Sequence, residues 1–440
     1  MLDVDPFSAG LLIFTLALLL MVSGVPIAFG FLIVNVIGAF ILMDGWLGVV
    51  QLVDNSTSLI TTFRLVSIPL FVFMGALFFH SGLASRVFDS LDALFGKMRG
   101  RLSYVTVLGG TTFSALTGST MANTAMLGSL MVPEMHKRGY SKMLSIGPII
   151  GTGGLAMIIP PSNLSVLLGS MARIDIASLL VAGILPGILL AVFYCFTIFF
   201  QVLINPSGAP AYTIPSITWA QRLTLFITNI VPMFAVIFLI VGLIVTGLTT
   251  PSEAAAFGVV IAALIAFLTG SLNLSTIYQS LETTIMVTGM LLLLIFASSA
   301  FSQLLSFSGV TSEILSLAIN WETSPINKLL MMFFILLILG MFMDQLSILL
   351  ITIPFFFPLA IAIGYDPVWF GIVVLLAMEM SLTTPPFGLL LFLMSGVAPK
   401  GTTLKDVMLS ALPFLFSDVV LLVLLILFPA IALWLPSFTS

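Results

Sequence analysis

Charge is scarce in this sequence: of 440 residues only 7% are Asp, Glu, Lys or Arg, against roughly 25% in a soluble domain. With 60% hydrophobic residues beside them, so few charges exclude a soluble fold, which could not hide that much apolar surface. Cysteine occurs once, at Cys195, which excludes an intrachain disulfide and leaves no thiol cluster for a metal. The two histidines, His80 and His136, are too few and too far apart for a metal centre. No GxxxxGK[ST] loop marks nucleotide hydrolysis, so the chain reads as a non-enzyme. A net charge of -4 without a basic stripe excludes a nucleic-acid partner. The start, Met1 to Pro6, lacks the basic segment and cleavage site of a secretory signal, so 8–22 is expected to be a retained span.

What is present is run after run of apolar residues, each near the roughly 20 needed to cross a hydrocarbon core. They do not alternate polar with apolar, so helices rather than barrel strands are expected in a lipid bilayer. The runs repeat. Pro160-Pro161 recurs 225 residues later as Pro385-Pro386, and at the same offset Pro133, Gly139 and Tyr140 pair with Pro358, Gly364 and Tyr365. With small loop shifts, Ser81-Gly82 pairs with Ser308-Gly309 and Ala28-Phe29-Gly30 with Ala256-Phe257-Gly258.

The first repeat, 1–204, is expected to cross at 8–22, 24–43, 66–82, 142–170 and 176–204; the second, 222–440, at 222–247, 251–270, 284–309, 367–398 and 407–436. A cytoplasmic linker, 205–221, joins them. The apolar stretches 103–134 and 326–360 are interrupted at Thr117 to Thr120 and at Asp344-Gln345, and read as re-entrant hairpins, because backbone leaves the helix at membrane depth only against protein or a wet cavity. The stretches 84–101 and 311–324 read as interfacial arm helices or as solvated loops. Five crossings is an odd number, so the second repeat is inserted upside down relative to the first.

The basic residues test this. With both termini periplasmic, ten of the thirteen fall on the cytoplasmic side: Arg86, Lys97, Arg99, Arg101, Lys137, Arg138, Lys142, Arg222, Lys400 and Lys405. Only Arg64, Arg173 and Lys328 fall outside.

The chemistry lies in polar, Gly-rich and Pro-rich breaks. Ser114, Thr117, Gly118, Ser119, Thr120, Asn123 and Thr124 surround the first hairpin tip, and Gly151 to Gly154 and Pro160 to Asn163 interrupt the span that follows. A Pro pair at mid-span frees carbonyl oxygens one turn earlier. Freed carbonyls and hydroxyls suit a dehydrated sodium ion, and half-helix N-termini suit a carboxylate. A single Pro or Gly is more commonly a kink or a close helix contact, and it is the paired breaks at equivalent places in both halves that point to a binding site. Ionisable groups within the spans are Glu253, Glu282, Asp344, Glu379 and Asp418. Asp344 at the second tip and Glu379 before the Ser381–Pro386 break are the coupling candidates, with a buried structural hydrogen bond as the competing role. Glu253, Glu282 and Asp418 read as lying near interfaces.

Ile68-Pro69-Leu70-Phe71, Gly118-Ser119, Gly139-Tyr140, Ile159-Pro160-Pro161-Ser162, Asp344 and Thr384-Pro385-Pro386-Phe387-Gly388 together resemble the large membrane subunit of tripartite ATP-independent periplasmic (TRAP) transporters, over nearly the whole chain. The resemblance implies an all-α, elevator-type, sodium-driven carrier of a bacterial inner membrane. Its implied partners are a small four-helix membrane subunit, a periplasmic substrate-binding protein and a small carboxylated solute. Carried over by motif, one sodium site would use Ser114, Thr117 and Ser119 with carbonyls of Ala156, Ile159 and Pro161; Ala156 stands where the family commonly has Gly. The 225-residue offset then gives a second site from Gly340, Ser381 and Thr384. Solute contacts carried over are Ser119, Asn123, Ser162 and Asn163. A single-component ion-coupled carboxylate carrier or antiporter, and a channel or scaffold subunit, are the competing readings.

Overall fold

The computed structural model describes residues 27–438 apart from 96–97, 211–217, 342 and 400, together with scattered positions between 5 and 25. Among the described residues there is no strand. Among the described residues six helices are long and apolar enough to cross a membrane, the limb Gln345–Ala362 named below among them. About half of the expected span 8–22 lies outside the described residues, and the positions described there are helical.

The two expected hairpins form. Limbs Arg101–Thr117 and Thr120–Lys137 make the first, and Pro325–Gly340 and Gln345–Ala362 the second. Each limb is 16 to 18 residues, about 24–27 Å at 1.5 Å per residue, at the lower edge of what spans the roughly 30 Å core. Both hairpins end in the same way. The Tyr140 N–H donates to Met135 O and the Tyr365 N–H to Ala360 O, each at 3.0 Å, while Gly139 and Gly364 turn the chain at φ 79 and 91. Glycine meets no Cβ penalty in that left-handed conformation, which is why it stands at both helix ends. Ser141 and Asp366, again 225 apart, then cap the following helices.

The spans after the hairpins are broken where the paired prolines stand. Lys142–Gly154 gives way to a 3-10 turn at Leu155–Met157 and restarts at Asn163–Ala172; Pro367–Thr383 restarts at Leu389–Val397. The Pro160-Pro161 and Pro385-Pro386 bonds are both cis. The halves interlock reciprocally. Thr120–Lys137 packs on Leu389–Val397 of the other half, and Gln345–Ala362 packs on Asn163–Ala172. Outside this body, Ser67–His80 packs on Pro251–Leu268 and Ile27–Leu42 on Leu274–Phe307.

Arm helices follow the left-handed glycines Gly82 and Gly309, at Leu83–Leu94 and Val310–Asn320. Both are tied to a hairpin root. Buried Arg101 pairs with Asp92 at 2.5 Å in the first half, and Lys328 Nζ donates to Ile319 O at 2.9 Å in the second.

Several boundaries differ from expectation. The segment 44–64, expected as an outer loop, carries the helix Trp46–Ile60, which buries Gly48, Leu52 and Ser56 against Ile27–Leu42 and Leu274–Phe307. Four-residue spacing puts those three on one face, and the polar run Asp54 to Ser58 hides that pattern. The span expected at 284–309 begins at Leu274, where Asn273 caps it. The span expected to run to 436 ends at Leu427, followed by Phe428-Pro429. Asp418, read as lying near an interface, is 2% exposed; Glu253 is exposed and completes a capping box with Thr250, and Glu282 is exposed.

Candidate functional site

The first hairpin tip turns at Gly118, φ 55, and Ser119 caps the outgoing limb by accepting from the Ala122 N–H. A Cβ on Gly118 would lie 3.2 Å from Pro161 O and 3.1 Å from Asn163 Nδ2. The tip therefore rests on the Pro-Pro break, as the positions of Thr117, Gly118, Pro161 and Asn163 require of a shared site. On its other side the tip meets an outer helix, for a Cβ on Gly75 would lie 2.7 Å from Leu116 O.

The break itself leaves acceptors. Pro160 and Pro161 have no N–H to give. Among the described residues no donor reaches the carbonyls of Ala156, Ile159 or Pro161, whereas Met157 O accepts from Ser162 Oγ at 2.7 Å and Ser165 Oγ at 3.0 Å. Buried acceptors are normally paired, so three bare carbonyls around one break are unusual. Ser162 also caps the half-helix Asn163–Ala172, which spends its hydroxyl on structure. Asn163 Oδ1 is buried without a partner.

Ser114 and Asn123 are bonded to the span that leads into the break. Ser114 Oγ donates to Thr152 O at 2.8 Å, and Asn123 Nδ2 contacts Ser114 Oγ and donates to Thr152 O at 3.1 Å. Both are fully buried, so neither faces an open solute path; Asn123 Oδ1 is left unpartnered. Thr117 Oγ1 donates to Phe113 O at 3.0 Å within its own helix.

In the second half Gly340 lies against Ser381, whose Oγ and Cβ occupy the space a Cβ on Gly340 would need. Pro385 stands four residues after Ser381 and removes its helical donor, as Pro160 does for Ala156. Thr384 O accepts from the Gly388 N–H at 3.1 Å, which leaves one lone pair of its carbonyl. Asp344 caps the limb Gln345–Ala362, accepting from the Leu346 N–H at 3.0 Å, the Ser347 N–H at 3.4 Å and Ser347 Oγ.

Glu379 meets two side chains that lie far from it in sequence. Tyr194 OH lies 2.9 Å from Glu379 Oε1 and 2.6 Å from Asp418 Oδ1, and all three residues are buried. Glu379 also fills the space left by Gly154, its counterpart 225 residues earlier; a Cβ there would come 2.7 Å from Glu379 Cδ. The two acids and the phenol come from three separate helices, 185 and 224 residues apart in pairing.

A cavity of about 900 Å³ lies between the outer helices and the inner body, walled by Asn55, Arg173, Ser302, Gln303, Pro354 and Phe357 among others. None of the sequence-predicted site residues lines it. A second cavity, about 550 Å³, is mostly apolar, with Pro160, Phe199 and Phe238 in its wall.

The sequence matches the family model described as "Tripartite ATP-independent periplasmic transporter, DctM component" over residues 14–431. It is 32% identical over 419 residues to the ectoine TRAP transporter large permease protein TeaC of Halomonas elongata, covering 94% of this chain and 96% of that one. To the C4-dicarboxylate TRAP transporter large permease protein DctM of Pseudomonas aeruginosa it is 33% identical, covering 85% and 86%. The fold is similar to that of the Alcanivorax borkumensis YdaH transporter, with a TM-score of 0.63 at 14% identity, over 88% of this chain and 90% of that one. A multi-pass membrane helix array with paired hairpins and paired breaks, matched by one family over nearly its full length, makes this chain a member of the DctM family, the large permease of TRAP transporters.

Proposed function

We propose that this chain takes up a small carboxylated solute by sodium-coupled secondary transport, with the solute delivered by a periplasmic binding protein and a small four-helix subunit beside it in the inner membrane. Both termini face the periplasm in this reading. The observation that carries it is the first Pro-Pro break, where the carbonyls of Ala156, Ile159 and Pro161 lack donors beside the tip formed by Thr117 and Gly118. Bare carbonyl oxygens without a fixed charge are ligands for a hard monovalent cation, and half-helix C-termini add partial negative charge.

Ser114 and Ser119 complete that first sodium site, and Gly340, Ser381 and Thr384 form the second. The solute meets the tips through Ser119 and Asn163, with Ser162 and Asn123 holding the backbone around them. Movement is of the elevator type: the hairpins and broken spans interlock as one body, against which the outer helices pack. The relatives named for ectoine and for C4-dicarboxylates are 32% and 33% identical to this chain, so similarity does not choose between these solutes.

The test is uptake into vesicles holding both membrane subunits, with radiolabelled solute and purified binding protein. Uptake is expected only with an inward sodium gradient and only when the binding protein is present. Full-rate uptake of free solute without it would favour a single-component carrier, and uptake indifferent to sodium would reject the coupling.

A further inference from the structure

We propose that the cavity of about 900 Å³ is a binding vestibule for a small organic anion, anchored by Arg173. This deepens the proposed function, resting on the same outward orientation of Arg173, and does not depend on sodium. A volume of this size falls within the range of small-molecule sites, roughly 300–1,000 Å³.

Arg173 is the sole charge in the cavity wall. Among the described residues no carboxylate pairs with it. Its guanidinium presents a planar fork of donors that matches a carboxylate. On one wall, Ser299, Ser302 and Ser306 stand at helical spacing along Leu274–Phe307, and Asn55 Nδ2 donates to Gln303 Oε1 at 2.8 Å. On the other wall Ile353, Pro354 and Phe357 are apolar. A positive end, a hydroxyl-rich side and an apolar side suit an organic acid.

The backbone at Arg173 points the same way. It ends the half-helix Asn163–Ala172 at φ 57, in the left-handed region, and the Ile174 N–H closes the turn on Gly169 O at 3.0 Å. At the comparable ends of both hairpins the sequence places glycine, Gly139 and Gly364. An L side chain is disfavoured there. Arg173 and Asp44 are the non-glycine residues at positive φ among the described residues, and of the two only Arg173 lines the cavity.

The test uses the purified two-subunit membrane complex in nanodiscs, with Cys195→Ser and Ser302→Cys placing one thiol in the cavity. Reaction rates are measured with anionic sulfonatoethyl and cationic trimethylammonioethyl methanethiosulfonate. The anionic reagent is expected to be favoured, with Arg173→Gly lowering the anionic-to-cationic rate ratio by about tenfold, the lower end of electrostatic focusing in clefts. Arg173→Lys should keep the preference, and the melting temperature of Arg173→Gly should not fall, since glycine relieves the backbone. A ratio unchanged by Arg173→Gly, a preference not kept by Arg173→Lys, or no reaction with either reagent overturns the proposal. Sodium-driven uptake by the unmodified assembly is a separate readout, and its failure would strike the proposed function while leaving the labelling ratio as it is.

Discussion

The two hairpins share a backbone and differ in chemistry. Ser119 and Asp344, 225 residues apart, each cap the outgoing limb, and each limb ends in the same Gly-Tyr turn. Around the first tip the sequence has Ser114 and Asn123, hydrogen-bonded to each other and to Thr152 O; at the same offsets the second has Leu339 and Ile348. The first tip therefore carries its polarity in neutral side chains, and the second in a single carboxylate held by three donors. A repeat can keep its caps and breaks, which fix the path of the chain, while the groups offered to a ligand diverge. The halves of this carrier are equivalent in path and unequal in ligands.

The largest expected effect separates the hairpin roots. Arg101 is 1% exposed and ion-paired with Asp92, which is itself 23% exposed and also faces Arg138 at 3.7 Å, so Arg101→Ala should destabilise the complex by about 3 kcal/mol, the lower end for breaking a buried pair. Lys328→Met removes one charged hydrogen bond to Ile319 O and should cost about 1.5–3 kcal/mol. Melting of the two variants in nanodiscs checks the order, and a larger loss at Lys328 would show that the second root carries the body.

A smaller effect separates the caps. Asp344→Ala should cost about 1–2 kcal/mol, near the top of the range for N-caps, because three donors lose their acceptor. Ser119→Ala should cost about 0.5 kcal/mol, since one long bond of 3.4 Å is lost. Hydrogen exchange at the first turns of the two limbs reads the difference directly. Equal protection losses would erase the contrast between the tips.

Much of this fold is legible in the sequence because its turning points depend on residues with few substitutes. Gly139, Gly364, Gly82 and Gly309 stand where φ is positive, and the Pro-Pro pairs stand where helices break. The hairpin breaks at Thr117 to Thr120 and at Asp344 are likewise polar interruptions of apolar runs. What escapes is what depends on distant partners. Nothing near Glu379 in sequence announces its partners Tyr194 and Asp418. The same holds for Asn123, whose partner Thr152 lies on the next span. The helix Trp46–Ile60 escapes for a local reason, since its polar outer face outweighs three small or apolar residues on its buried one. Arg173 carries no sequence signal beyond its charge, because its left-handed φ is visible only in the structure.

The central claim is that the tip of the first hairpin and the break at Pro160-Pro161 bind sodium together. It is tested most directly by the sodium concentration at half-maximal uptake, measured with the full assembly for the unmodified chain and for Thr117→Ala. Thr117 Oγ1 bonds only within its own helix, so its removal leaves the tip's contacts with Pro161 and Asn163 in place. The account predicts a half-maximal concentration raised by roughly tenfold, the loss of one ligand worth about 1.4 kcal/mol, with uptake recovered at high sodium. An unchanged half-maximal concentration would contradict the assignment of this site.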